Sequence, residues 1–262
     1  MIKKILFGLL TLLLLVGCDR SGSVSTRADY SDSLIVIDAG HGGHDSGATA
    51  GGLYEKNLVL SIAHRTAKKF RDMGYSVHMT RANDRFIKLS GRTKIADRKD
   101  AKIFISIHAN AIANKSRFQV VEGVETYFLQ KTRDAKSQRI AARENEAVLQ
   151  GADALSKNVI IDSVLNGPKI IESNKLAIDV QRNVVASLQS AYEGVKNGGV
   201  RPAPFYVLVG ASRPSILVEV GYITNDKERA RLFTADYQER IAQGIVTGAT
   251  RYIMNRKKEL GF

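Results

Sequence analysis

The chain has 262 residues, 44% hydrophobic and 25% charged, with a formal net charge of +13 and one cysteine. That length suits a single α/β domain, the lone cysteine excludes an intrachain disulfide, and no internal repeat or low-complexity tract interrupts it. The positive balance fits nucleic acid, anionic lipid or an anionic polymer, but the lysines and arginines are scattered without an aromatic stacking platform, which argues against nucleic acid. Affinity for an acidic cell envelope, or plain solubility, accounts for the charge.

In chain order, Lys3 and Lys4 precede an apolar run from Ile5 to Val16, too short for a comfortable membrane span and of signal-peptide character. The run ends in Leu15-Val16-Gly17-Cys18, which resembles the lipobox of bacterial lipoproteins and implies cleavage before Cys18, acylation of its thiol and a periplasmic, membrane-anchored protein. Several acyl chains anchor stably where one is marginal. An ordinary signal peptide or short anchor is the alternative. Asp19 follows the acylated position and favours the inner membrane. Residues 19–33 are polar and read as a flexible tether, 34–255 as one domain, and 256–262 as a basic tail.

Leu34 to Ile37 reads as a short buried strand breaking into a glycine-rich loop with His41, His44 and Asp45. Glu55 to Gly74 carries Leu58, Ile62, Thr66, Phe70 and Met73 at helical spacing, with Gly74 as the stop. Tyr75 to Thr80 is expected as a strand, Arg81 to Arg85 as a polar loop, Leu89 to Arg98 as a helix, and Ala101 to His108 and Gly123 to Leu129 as strands. Arg139 to Ile171 is helical but weakly patterned and is interrupted at Gly167-Pro168. Ser173 to Tyr192 is a helix, Phe205 to Val209 and Ser215 to Val220 are strands, and Tyr237 to Tyr252 is the last helix. Strands alternating with helices predict a mostly parallel, twisted sheet flanked by helices on both faces.

Of five histidines, His64 falls within a helix and His78 within a strand, as structural residues would. His41 and His108 each lie just past the carboxyl end of an apolar strand, the rim where open α/β sheets collect ligands. A hydrolytic zinc site of two histidines and one acid needs a carboxylate. Glu55, at the start of the first helix, can fold back to the same rim, although alone it reads as a partner of the helix dipole. Glu219 interrupts the apolar run SILVEVG, where an acid is costly unless paired or functional, and suits a general base.

The stretches IDAGHGGHDSGA, GLYEKNLVLSIA, FISIHANA and SILVEVGYITN, the last followed by Glu228, resemble the zinc-dependent N-acetylmuramoyl-L-alanine amidases of the type-3 family, which includes septal cell-wall amidases. The resemblance spans nearly all of Leu34 to Tyr252 in order and spacing. Tyr222 and Thr224 stand where Phe and Ser are usual, and Ser46 where Pro is common; His44 is at a variable position. The resemblance implies that His41, Glu55 and His108 ligate one zinc ion. It also implies that Glu219 takes a proton from water and passes it to the departing amine of L-alanine as the bond to N-acetylmuramic acid breaks, for cell-wall remodelling or daughter-cell separation. Another zinc peptidoglycan peptidase, or a non-catalytic envelope-binding lipoprotein, is the alternative.

Residues 139–171 form an added segment that minimal members lack. Its start resembles the regulatory segment of septal amidases, in which an acidic side chain occupies the metal. Glu144 best matches that position and Glu146 is second. An activator of the degenerate-peptidase type is the expected partner, beside peptidoglycan.

Overall fold

A computed structural model describes residues 33–146, 168–209 and 211–261. The leader, Cys18, most of the tether and the middle of the 139–171 segment lie outside the described residues. Among those described, no helix is long and apolar enough to cross a membrane.

Six strands build one sheet: β1 (Leu34–Ala39), β4 (Ser76–Met79), β5 (Ile103–Asn110), β6 (Val124–Leu129), β7 (Asn197–Ala203) and β8 (Ser215–Tyr222). Their order is β4-β1-β5-β8-β6-β7, and every pair is parallel except β6 with β8. A two-stranded hairpin, β2 (Thr49–Ala50) with β3 (Leu53–Tyr54), lies between β1 and the first helix.

Alternation along the central strands explains the layering. Ile35, Ile37, Ile103, Ile105, Ile107, Ile216, Val218 and Val220 face one side, in one core with α1 (Glu55–Asp72), α4 (Pro168–Gln189) and α7 (Ala235–Glu259). Val36, Phe104, Leu217, Tyr127 and Leu129 face the other, with residues of α2 (Leu89–Arg98), α3 (Ala135–Glu144) and α5 (Tyr206–Val209). Such period-two burial is what a sheet covered on both faces requires. A short helix, α6 (Asp226–Leu232), follows β8. Pro168 opens α4, where its missing N–H costs nothing.

Two expectations are corrected. Phe205 to Val209 is not a strand: residues 206–209 make one helical turn whose Val207 and Leu208 are buried under the sheet. A short apolar run has no period to separate the two forms. The strand is instead the polar β7, at the sheet edge and paired, among the described residues, with β6 alone. The basic end of the chain, Arg256 to Glu259, is the last turn of α7 rather than a separate tail.

Candidate metal centre

Five segments meet at the carboxyl ends of β1, β5 and β8. His41 follows β1, Glu55 opens α1, His108 is on β5 opposite Glu219 of β8, and Glu144 ends α3. The side chains of Glu55, His108, Glu144 and Glu219 are almost fully buried. One donor atom from each of His41, Glu55, His108 and Glu144 lies within 4.8 Å of the others.

His41 Nε2 is 3.1 Å from Glu55 Oε1 and 3.2 Å from Glu144 Oε2. His108 Nδ1 is 3.3 Å from Glu55 Oε1 and 2.9 Å from Glu144 Oε2. Yet His41 Nε2, His108 Nδ1 and Glu144 Oε2 have no partner in proper hydrogen-bond geometry. They converge on a common point rather than on one another. Donors placed tetrahedrally at 2.0–2.1 Å from a zinc ion are about 3.3 Å apart, so two imidazoles and two carboxylates at these separations fit a zinc-sized cation.

The local chain explains the convergence. His41 has φ 57, in the left-handed region, and its Nδ1 is held by Asp45 at 3.0 Å, which directs Nε2 inward. Glu55 accepts from the backbone N–H groups of Ala48 and Ala109, each at 2.8 Å, so its carboxylate ties the β1 loop to β5. The His108 ring lies flat against Gly40, where a Cβ would come within 2.4–2.8 Å of ring atoms.

Electrostatics follow from burial and proximity. Burial alone lowers a histidine's pKa, but Glu55, with Asp45 and Glu144, raises that of His41 well above its usual value. Against the same desolvation, Glu144 and Glu55 raise His108 to about 9. Glu55 is desolvated, yet His41 brings it down to about 2. Glu219 goes the other way: burial first, then the Glu144 charge, push it up to about 8. Both of its oxygens lack hydrogen bonds, and the nearest cation, Arg143, is 3.9 Å away.

All the main sequence-derived site residues thus come together, and Glu144 joins them. Glu146 is exposed and lies outside the cluster. His44 packs against Phe86, with ring centroids 4.2 Å apart and the planes tilted by 39°. Sequence reasoning missed Asp45 as the partner of His41, and Arg143, which donates to Glu144 at 2.6 Å and to the Ala111 carbonyl at 2.5 Å. It also missed Glu125, level with Glu219 across the β6–β8 pair. The arginine gave no signal, but an acid in the strand GVETYFL carries the same cue that exposed Glu219.

Fold and cluster define a layered α/β domain built round a candidate divalent-metal centre. The chain belongs to the N-acetylmuramoyl-L-alanine amidase family, whose model matches residues 35–251, and it is a hydrolase of that class. It is 35% identical over 230 residues to amidase AmiC of Neisseria meningitidis, covering 84% of this chain and 52% of that protein. Against AmiA of Escherichia coli K12 the identity is 31% over 223 residues, covering 84% of this chain and 75% of the other. The solved structure of AmiC2 of Nostoc punctiforme matches with TM-score 0.65 and 35% identity, covering 86% and 98% of the two chains.

Proposed function

We propose that this protein is a zinc-dependent hydrolase of the amide between N-acetylmuramic acid and L-alanine in peptidoglycan, held off by its own Glu144. The observation that carries the reading is the convergence of four donors on one buried point, with an unbonded carboxylate, Glu219, beside them. His41 Nε2, Glu55 Oε1 and His108 Nδ1 would hold the ion. A bound zinc ion supplies Lewis acidity, polarising a carbonyl and making water a better nucleophile.

The chain's own residues do the rest. Asp45 keeps a proton on His41 Nδ1, leaving Nε2 free as a donor. Glu219, buried and with neither carboxylate oxygen engaged in a hydrogen bond, accepts the proton of attacking water and returns it to the departing amine.

Glu144 sits where a scissile carbonyl has to enter, and Arg143 neutralises it there. A tethered carboxylate has a high effective concentration, so α3 must leave before substrate can bind. A partner shifts that balance only by binding displaced α3 better than docked α3; a degenerate-peptidase envelope protein fits that role. The LVGC stretch supports acylation of Cys18 and a periplasmic anchor, and fractionation of Cys18→Ala tests it: persistent membrane attachment after leader cleavage would rule out lipidation as the anchor.

The central test is digestion of purified peptidoglycan with and without chelator. Release of stem peptides with free alanine amines, abolished by chelation, is expected; cleavage within the peptide would replace this reading with a peptidase. His41→Ala should lose zinc and activity together, whereas Glu219→Gln should keep zinc and lose at least 100-fold in rate. Glu144→Ala should raise the basal rate, and an unchanged rate would remove the autoinhibitory role.

A further inference from the structure

Two arginines are among the largest fully buried side chains, Arg81 at 0% and Arg92 at 1% exposure. Among the described residues, one carboxylate, Asp38, pairs with Arg92, at 2.9 Å. Asp38 also accepts from Thr80 at 2.6 Å and Ser106 at 2.7 Å. Most remaining contacts of the two guanidiniums are to the backbone around His41. Arg92 donates to the carbonyls of Ala39 at 2.7 Å and His41 at 2.8 Å. Arg81 donates to Ala39 at 2.9 Å and Gly40 at 2.7 Å. The same Nη2 of Arg81 reaches the Lys56 carbonyl at 2.9 Å, one residue beyond Glu55. The outer bonds go to Ile87 from Arg92 and to Asn83 from Arg81.

Three consecutive carbonyls, 39 to 41, the first two of them buried, are therefore satisfied from the side-chain layer beneath them. His41 needs this support, because its φ of 57 is one that residues with a side chain rarely adopt. Planar five-donor forks can serve several fixed carbonyls at once, which a lysine ammonium on a flexible stem does not do with the same geometry.

We propose that Arg81 and Arg92 are positioning residues that fix the backbone of His41, and through Lys56 the start of α1, so that His41 Nε2 and Glu55 Oε1 reach a shared cation. The inference rests on the metal role proposed for His41 and Glu55. Arg81 registers the two donors against each other. Arg92 locks the β1 loop to Asp38, and so to β5 through Ser106.

The test is the zinc dissociation constant of the full purified chain, measured by chelator competition well below its melting temperature. Arg81→Lys and Arg92→Lys keep the charge and should weaken zinc roughly 10- to 100-fold, the range for residues that orient ligands. Val180→Ala, in the opposite core layer, supplies a comparably destabilised reference and should leave the constant unchanged. Should a lysine variant not fold, Thr80→Val and Ser106→Ala remove only the hydroxyls that hold Asp38 and should weaken zinc severalfold. Wild-type affinity in the folded variants, or equal weakening by Val180→Ala, overturns the proposal. If the unmodified chain takes up no zinc, the metal reading itself falls and this inference with it.

Discussion

At the scale of single residues, the site depends as much on absent atoms as on present ones. Gly40 is required by proximity, since any Cβ there would clash with the His108 ring, 2.4 Å from its nearest atom. Gly40→Ala should move that ring and weaken zinc about 10- to 100-fold with little change in secondary structure; titration with a competing chelator, read beside circular dichroism, checks both halves. His41, His108 and Glu219 were legible in the sequence from their places at strand ends or in an apolar run, whereas Glu55, a favourable acid at a helix start, stood out only through resemblance. Glu144 was legible only through resemblance, since its helix offers a pattern no different from a solvated one. Arg81 fell in a segment that reads as polar loop, yet it is fully buried. Nothing local distinguishes an arginine facing solvent from one facing a row of carbonyls.

At the scale of elements, α3 is fastened at both ends, to the sheet near its start and to the turn between β7 and α5 past its end. Near its start, Lys136 pairs with the buried Glu125, which also accepts from Asn110, Tyr127 and Tyr222 at 2.9–3.2 Å. Past its end, Asn145 donates to the Pro204 carbonyl and accepts from the Tyr206 N–H, both at 2.9 Å. Lys136→Met should weaken docking by about 1 kcal/mol, the upper range for a partly exposed ion pair. Where α3 limits access, that raises basal hydrolysis about fivefold, and an unaltered rate would show that this end does not govern access. Across the molecule, α4 and α7 approach so closely that a Cβ on Gly248 would lie 2.5 Å from the Cα of Val180. Gly248→Ala should therefore destabilise the fold by about 1–3 kcal/mol, measured by denaturant unfolding. The sequence showed α1, α4 and α7 plainly through their periodicity. It hid β7, whose glycines and proline lack alternation, and α6, although Asn225 three residues before Glu228 was a readable cap.

At the scale of the whole molecule, charge and stability are linked through the cluster. In protein stripped of metal, His108 holds its proton up to about pH 9 against 6.5 for a free histidine. A group whose pKa rises on folding stabilises the fold fully below its unfolded value, and that contribution fades as pH climbs through the folded one. Chelated protein should thus melt lower at about pH 9.5 than at about pH 6. Protein with zinc bound should lose this dependence, because the nitrogen lone pairs are engaged; parallel melting curves in the two states would contradict the proposed ligation. The parallel character of the sheet was readable from strands alternating with helices. The reversal of β6 was not, because its pairing with β8 joins segments far apart in the chain. That same arrangement bears on how the protein is made. β8 is the last strand of the sheet to be synthesised, yet it lies between β5 and β6 and carries Glu219. A growing or prematurely ended chain has a gap at the centre of its sheet, cannot bring β5 and β6 to their final spacing, and lacks that carboxylate altogether. Unfinished copies therefore lack both a closed sheet and a complete site: the last strand to leave the ribosome is also the one that joins the two halves of the sheet.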